Sequence, residues 1–239
     1  MSWLQEPYLG FDLETTGVDR YNDLPVSFAF VVGKGDHIER RLYKIVNPGI
    51  PISEKAMEIH GITEERAKKE GISIEEALGT IENTLLWASK QNIPLMGMNV
   101  SFDLTMVNEM LKKQDSSLIA KGWRGPIIDA LELDHWQDKY RKGKRTLTDL
   151  CTLYGVSFDN AHNALADVEA SIMVIKKIAQ KYPIVQQKTI TELMKIQRNI
   201  HKERVDRLRT YYATNNRGVI ALGESEWPLP EKNLSVFGF

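Results

Sequence analysis

Three blocks of hydrophobic residues open the chain, each with the length and alternation of a β-strand. Tyr8–Glu14, Val26–Val32 (VSFAFVV) and Ile38–Val46 predict strands. The turn residues Gly33-Lys34-Gly35-Asp36 make the second and third a hairpin. Pro48 and Pro51 then break the pattern, and Ser53 caps a short helix ending near His60-Gly61. Ser73, with Glu76 at capping-box spacing, starts a helix from Ile74 to about Gln91. Pro94–Met98 reads as a short apolar strand. Val100–Lys113 reads as a helix with Phe102, Met106, Val107 and Met110 on its apolar face. Pro126–Ile128 is another short strand, with a helix beginning around Asp129. Thr146 caps a helix through Tyr154, and a further helix runs from about Asn163 to Tyr182. An antiparallel start followed by strands alternating with helices predicts an α/β domain with a mixed sheet and helices packed on it.

The character changes after Pro183. Residues 187–212 form one long helical pattern with Ile190, Leu193, Met194, Ile200, Val205, Leu208 and Tyr211 near helical spacing. Its polar face is basic: Lys188, Lys195, Arg198, Lys202, Arg204, Arg207 and Arg209 stand against Glu192, Glu203 and Asp206. Two roles are open to it, docking by the apolar stripe and steering of nucleic acid. From Gly218 onward, Pro228, Pro230 and three glycines predict an extended or flexible tail. The domain reading is therefore a unit over 1–183, a basic amphipathic helix over 184–217 and a tail over 218–239.

The chain's 239 residues, 42% of them hydrophobic and 26% charged, suffice for a sizeable core. A formal net charge of −1 argues against extensive tracking of duplex DNA but leaves room for an enzyme that grips only a strand end. The single cysteine, Cys151, allows neither an internal disulfide nor a thiolate zinc site, which fits a reducing, cytoplasmic setting. No signal peptide is expected from MSWLQEPY, and no apolar run approaches the roughly 18 residues of a membrane span.

GFDLETTG, residues 10–17, places Asp12 and Glu14 two apart in a strand. Both side chains then share one face, and each raises the other's pKa unless positive charge lies nearby. Further acids sit at strand and helix ends: Asp103 in MNVSFD, after Asn99; Asp129 in IIDALELD; and Asp167 in HNALADVEA, five residues after His162, with small neighbours Ala164, Ala166 and Ala170. Carboxylates that converge without a basic partner would repel strongly. Oxygen-only ligands suit hard cations such as Mg²⁺ or Mn²⁺. A pair of such ions about 3.5–4 Å apart binds both the attacking and the leaving oxygen of a phosphodiester.

Asp-x-Glu-Thr-Thr-Gly, then Asn-x-x-x-Asp, then His-x-x-x-x-Asp, in this order, resembles the DEDDh 3′–5′ exonucleases over about residues 8–180. That family includes the proofreading (epsilon) subunit of the bacterial replicative polymerase. Ile59-His60-Gly61-Ile62-Thr63 is also similar to a family loop, while Met98 stands where many relatives carry His. The resemblance implies a ribonuclease H-like fold: a mixed five-stranded sheet, three antiparallel strands and then parallel ones, flanked by helices. It implies two ions, with Asp12 bridging them, Glu14 and Asp167 on the one that carries the water, and Asp103 reaching the second. His162 would be the general base; Asn163, where the sister class has Tyr, cannot serve. Leu13, Thr15, Thr16, Ile59, His60, Asn99 and Phe102 would contact the terminal nucleotide, although Phe102 also suits a core position and His60 also suits loop packing. Asp129 is read as a helix N-cap.

The implied activity is metal-dependent removal of nucleoside 5′-monophosphates from DNA 3′ ends, in proofreading or repair; the alternative is RNA, as in oligoribonuclease- and ribonuclease T-like relatives. Asn233–Phe237 (NLSVF) resembles the short peptide by which bacterial replication proteins grip the sliding clamp, which would add a clamp and a DNA polymerase as partners. A plain chain end is the other reading of that segment.

Overall fold

The predicted strands assemble into one mixed sheet in the computed structural model, which describes residues 2–158 and 163–230. β1 (Pro7–Thr15), β2 (Pro25–Lys34) and β3 (His37–Ile45) are antiparallel neighbours; the β2–β3 turn is only Gly35-Asp36, and Gly35 takes the positive φ of +53° that such a turn requires. Next come α1 (Glu54–His60), α2 (Glu64–Glu70), α3 (Ile74–Lys90), β4 (Leu95–Gly97), α4 (Val100–Lys112), β5 (Ile127–Asp129), α5 (Ala130–Gln137), α6 (Leu147–Tyr154) and α7 (Ala164–Lys181). β4 lies parallel to β1, and β5 parallel to β4, giving the order β3-β2-β1-β4-β5 with β1 at the centre.

Strand alternation divides the core into two layers. Leu9, Phe11 and Leu13 of β1 pack with Leu78, Ile81 and Leu85 of α3 and Leu104 and Val107 of α4. On the other face Tyr8, Ala29 and Met96 pack with Val168, Ile172 and Ile175 of α7 and with Leu150 of α6. Caps read from the sequence start the helices. The hydroxyls of Ser53, Ser73 and Thr146 accept backbone N–H groups of the first turn, and Thr146 completes a reciprocal capping box with Asp149. The sequence does not signal α2, because EERAKKE buries only Ala67.

Beyond α7, Pro183 begins a short helix, α8 (Pro183–Gln187), where its missing N–H costs nothing, and the long helix α9 spans Ile190–Thr214. Its buried stripe is not the purely apolar one expected. Leu193, Gln197, His201 and Val205 recur every fourth residue toward the body, whereas Leu208 and Tyr211 are exposed. The two polar members are buried because they have partners. Gln197 Oε1 accepts the Asp129 N–H (2.6 Å) and its Nε2 donates to the Ile127 carbonyl (3.0 Å). Its side-chain amide thus takes the place of a neighbouring strand on the edge strand β5, and Met194 Sδ accepts the Ile127 N–H (3.0 Å). His201 faces Glu132 Oε1 through Nδ1 and the Glu224 carbonyl through Nε2, both at 3.0 Å. Burial alone would raise the Glu132 pKa, but the His201 bond and the Arg204 guanidinium outweigh it and hold that carboxyl below its usual range.

The stretch after Gly218 departs from the expected extension. Leu222–Ser225 forms a 3-10 turn, and Trp227 is buried against the α3–α4 core layer. Arg209 holds it through the carbonyls of Ile220 and Ala221, and Arg20 and Tyr21 hold Glu224. Residues 231–239, with Asn233–Phe237, lie outside the described residues. None of the described helices is long and apolar enough to cross a membrane.

Two outcomes follow from this end of the molecule. Gln197→Ala should cost about 2–3 kcal/mol in urea unfolding, because it strips the Asp129 N–H and the Ile127 carbonyl of their partner. The second concerns His135, whose pKa is pushed down to about 4 by burial and then by Arg145 and Arg204; its Nδ1 is buried without a hydrogen-bond partner among the described residues. The unfolded chain therefore binds a proton that the folded chain refuses. The resulting stability is full above pH 6.5 and is lost as pH falls toward about 4. Unfolding midpoints of His135→Gln should fall less steeply over that window than those of the wild type.

Candidate active site

The site is built on the α7-facing side of β1. Alternation sends Tyr8, Gly10, Asp12 and Glu14 to that face. Gly10 has no Cβ, and one placed there would come within 2.4 Å of Val168 Cγ1 and 2.7 Å of Ile172 Cδ1, so α7 lies directly on the strand. Asp167, in the first turn of α7 and adjacent to Val168, arrives beside the strand's acids as a result. Asp12, Glu14 and Asp167 each offer a carboxylate oxygen, and these oxygens all lie within 4.8 Å of one another. β1 changes register against β2 just after Glu14, which ends regular pairing at the site's edge.

Asp103 comes from the opposite layer. It is buried in the first turn of α4, and its Oδ1 accepts the Leu13 N–H at 3.1 Å, across the end of the sheet. Asp129 supports this arrangement. It caps α5 by accepting the Leu131 N–H, and it also accepts the Asn99 and Val100 N–H groups, all at 2.9 Å. One buried carboxylate therefore ties the ends of β4 and β5 to the starts of α4 and α5. Asn99 itself sits in the left-handed region (φ 59°), which a short amide side chain tolerates.

The electrostatics are one-sided. Burial, then Asp103, Asp167 and Glu14, raise the Asp12 pKa well above the carboxylate range. Burial and Asp167 push Glu14 to about 8. Burial also raises Asp103 strongly, although its own and the Leu13 N–H groups pull the other way. Among the described residues, every charge acting on Asp12 and Glu14 is a carboxylate. Glu14 Oε1 is buried with no hydrogen-bond partner among the described residues. An all-oxygen donor set and, among the described residues, an orphaned buried oxygen on Glu14 fit a hard divalent cation.

A cavity of about 380 Å³ opens beside Glu14. Of the residues expected to contact a nucleotide, Thr15, Ile59, His60, Asn99 and Phe102 line it. His60 lines the cavity, and its Nδ1 accepts the Ile62 N–H (3.1 Å), which braces the loop. Leu13 and Thr16 do not line it. Leu13 is buried in the core and supplies only its backbone N–H, while Thr16 Oγ1 donates to Asp23 (2.7 Å) and accepts the Leu24 N–H (3.1 Å), closing the 17–24 loop. Lys55 also lines the cavity and carries no motif signal. It is visible only as the residue four before Ile59, on the same face of α1. His162 lies outside the described residues.

Residues 9–175 match the exonuclease family. The chain is 29% identical over 174 residues to the PolC-type DNA polymerase III of Bacillus subtilis, covering 73% of this chain and 11% of that protein. It is 30% identical over 190 residues to the corresponding protein of Streptococcus pneumoniae strain D39, covering 77% of this chain and 12% of that one. It therefore spans only a small fraction of those relatives' length. The fold is similar to that of E. coli Exonuclease I in complex with a dA16 oligonucleotide, with a TM-score of 0.64 and 20% identity over 77% of this chain and 42% of that one. With its family match extending over well more than half its length and carrying the paired acids of β1, the chain belongs to the exonuclease family.

Proposed function

We propose that this chain is a 3′–5′ exodeoxyribonuclease that releases nucleoside 5′-monophosphates from single-stranded or frayed DNA ends, in proofreading or repair. The observation that carries the reading is the convergence of the Asp12, Glu14 and Asp167 carboxylates, of which Glu14 lines a cavity within the roughly 300–1,000 Å³ range of small-ligand pockets. The PolC-type polymerases it resembles act on DNA by name, and the Exonuclease I complex holds a DNA oligonucleotide; both favour DNA over RNA as substrate.

Asp12, Glu14, Asp103 and Asp167 would hold two Mg²⁺ or Mn²⁺ ions. When bound, these ions supply Lewis-acid activation of water and charge stabilisation at the leaving 3′ oxygen. The remaining work falls to the chain. Ile59 and Phe102 give the terminal base apolar walls, and Lys55 offers an ammonium to the phosphate side of the same cavity. Asn99 is held by Asp129 through its backbone, which leaves its side-chain amide for the substrate. His162, immediately before the α7 N-cap Asn163, takes the proton of the attacking water. Deprotonated carboxylates at Asp12 and Glu14 are needed for this arrangement, and their raised pKa values make ion binding and proton release a single linked event.

A 5′-labelled single-stranded DNA should be shortened from its 3′ end with Mg²⁺ or Mn²⁺ and left intact with chelator. Asp12→Ala or His162→Ala should lower the rate by about 10²–10⁴-fold or more. A matched RNA degraded faster than the DNA would transfer the substrate to RNA, and an untouched panel of oligonucleotides would end the reading. Thermal melting provides a check independent of turnover. Without divalent ions Asp12→Asn should melt above the wild type, because it removes one charge from a self-repelling cluster. With millimolar Mn²⁺ the order should reverse, as only the wild type gains stability from the ion.

A further inference from the structure

A second cavity, of about 430 Å³, adjoins the first, and the two share Asn99 as a wall. Their chemistry differs. The first carries Glu14 and Lys55, whereas the second carries two guanidinium groups, Arg20 and Arg204, with Glu224, Tyr21, Leu208 and Val219. The cations are pre-set. Arg204 Nη2 donates to the buried Glu132 Oε1 at 2.6 Å, while its Nη1 makes no hydrogen bond among the described residues. Arg20 is fixed by Glu224, and its guanidinium carbon stands 5.4 Å from the centroid of the Tyr21 ring. Leu208 and Val219 are 42% and 89% exposed, large apolar side chains facing solvent at the cavity's rim. Fixed guanidinium groups beside an aromatic ring and aliphatic walls are what a single-stranded nucleic acid needs, with cations for phosphates and flat apolar surface for bases.

Arg204, Leu208 and Val219 all lie beyond residue 175, where the family match ends. The docking of α9 on β5 and α5 brings Arg204 and Leu208 to the site, and Arg209 holds the segment of Val219 through the Ile220 carbonyl.

We propose that this second cavity is a subsite for the nucleotides immediately upstream of the 3′-terminal one on single-stranded DNA. The proposal rests on the exonuclease reading above. A strand whose end occupies the Glu14 cavity passes Asn99 and lays its next phosphates on Arg204 and Arg20. The C-terminal helix thereby makes strands of several nucleotides better substrates than mononucleotide esters.

The test compares kcat/KM on single-stranded DNA of about ten nucleotides with kcat/KM on thymidine 5′-monophosphate p-nitrophenyl ester, which occupies the terminal cavity alone. Leu208→Glu and Val219→Glu change exposed rim positions, so folding is not at risk; Arg204→Gln is the third variant, with Glu132 still held by His201. In each, the ratio of oligomer to ester efficiency should fall about tenfold, through KM for the oligomer, and Arg204→Gln should reduce the slope of log(kcat/KM) against log salt by about one. An unchanged ratio in the two rim variants overturns the subsite, as does an equal loss on both substrates. A wild type that cleaves neither substrate brings down the exonuclease reading and the subsite with it.

Discussion

Like charges forced together at the end of a central strand are the constraint around which the rest of the molecule is arranged. Asp12 and Glu14 share a face because β1 is a strand, and Asp167 joins them because Gly10 lets α7 lie on that face. Asp103 is added from the other layer through the Leu13 N–H. In an ion-free protein this arrangement is unfavourable, as the raised pKa values of Asp12, Glu14 and Asp103 record. The fold tolerates it because two apolar layers clamp the sheet from both sides and do not depend on the site. Structure is spent here to hold an arrangement that becomes favourable only when positive charge arrives.

A second buried carboxylate shows the contrast. Asp129 is as buried as Asp103 and its pKa is also raised, to about 6, by burial and Glu132. Yet it accepts three backbone N–H groups, from Asn99, Val100 and Leu131, and so has a structural role without any ion. Burial alone therefore does not mark a site. The distinguishing feature of Glu14 is an oxygen left without a donor, in a cluster whose neighbours are acids.

Much of this was legible in the sequence, and the exceptions share a cause. Strand alternation placed Asp12 and Glu14 together, and Ser53, Ser73, Thr146 and Asp129 announced their helices through local chemistry. Local signals failed where a residue's role depends on a distant partner. Gln197 and His201 belong on the solvent face by polarity, and only the open edge of β5 and the carboxylate of Glu132 make them interior residues. Thr16 lies within the motif and suggests the pocket, but Asp23 and Leu24 claim its hydroxyl. Trp227 lies among prolines and a glycine that suggest an extended chain, yet a large indole finds a place in the core. Lys55 needed the turn of α1 to bring it to the cavity beside Ile59.

A formal net charge of −1 looks ill suited to the polyanionic substrate proposed for this chain, but the distribution of charge matters more than its sum. Acids dominate where the reaction is placed. Beside them, Arg204 and Arg20 are each tied to a carboxylate, Glu132 and Glu224, that fixes a guanidinium without occupying all its donors. Such pairing lowers the long-range attraction for duplex DNA while keeping short-range donors aimed along one path. Under the proposed function, a chain organised in this way favours a strand end that threads inward over the continuous backbone that a uniformly basic surface would coat. The Arg204–Glu132 pair binds α5 to α9 and the Arg20–Glu224 pair binds the 222–225 turn to the loop after β1, so the contacts that orient the cations also make the C-terminal segment part of the body.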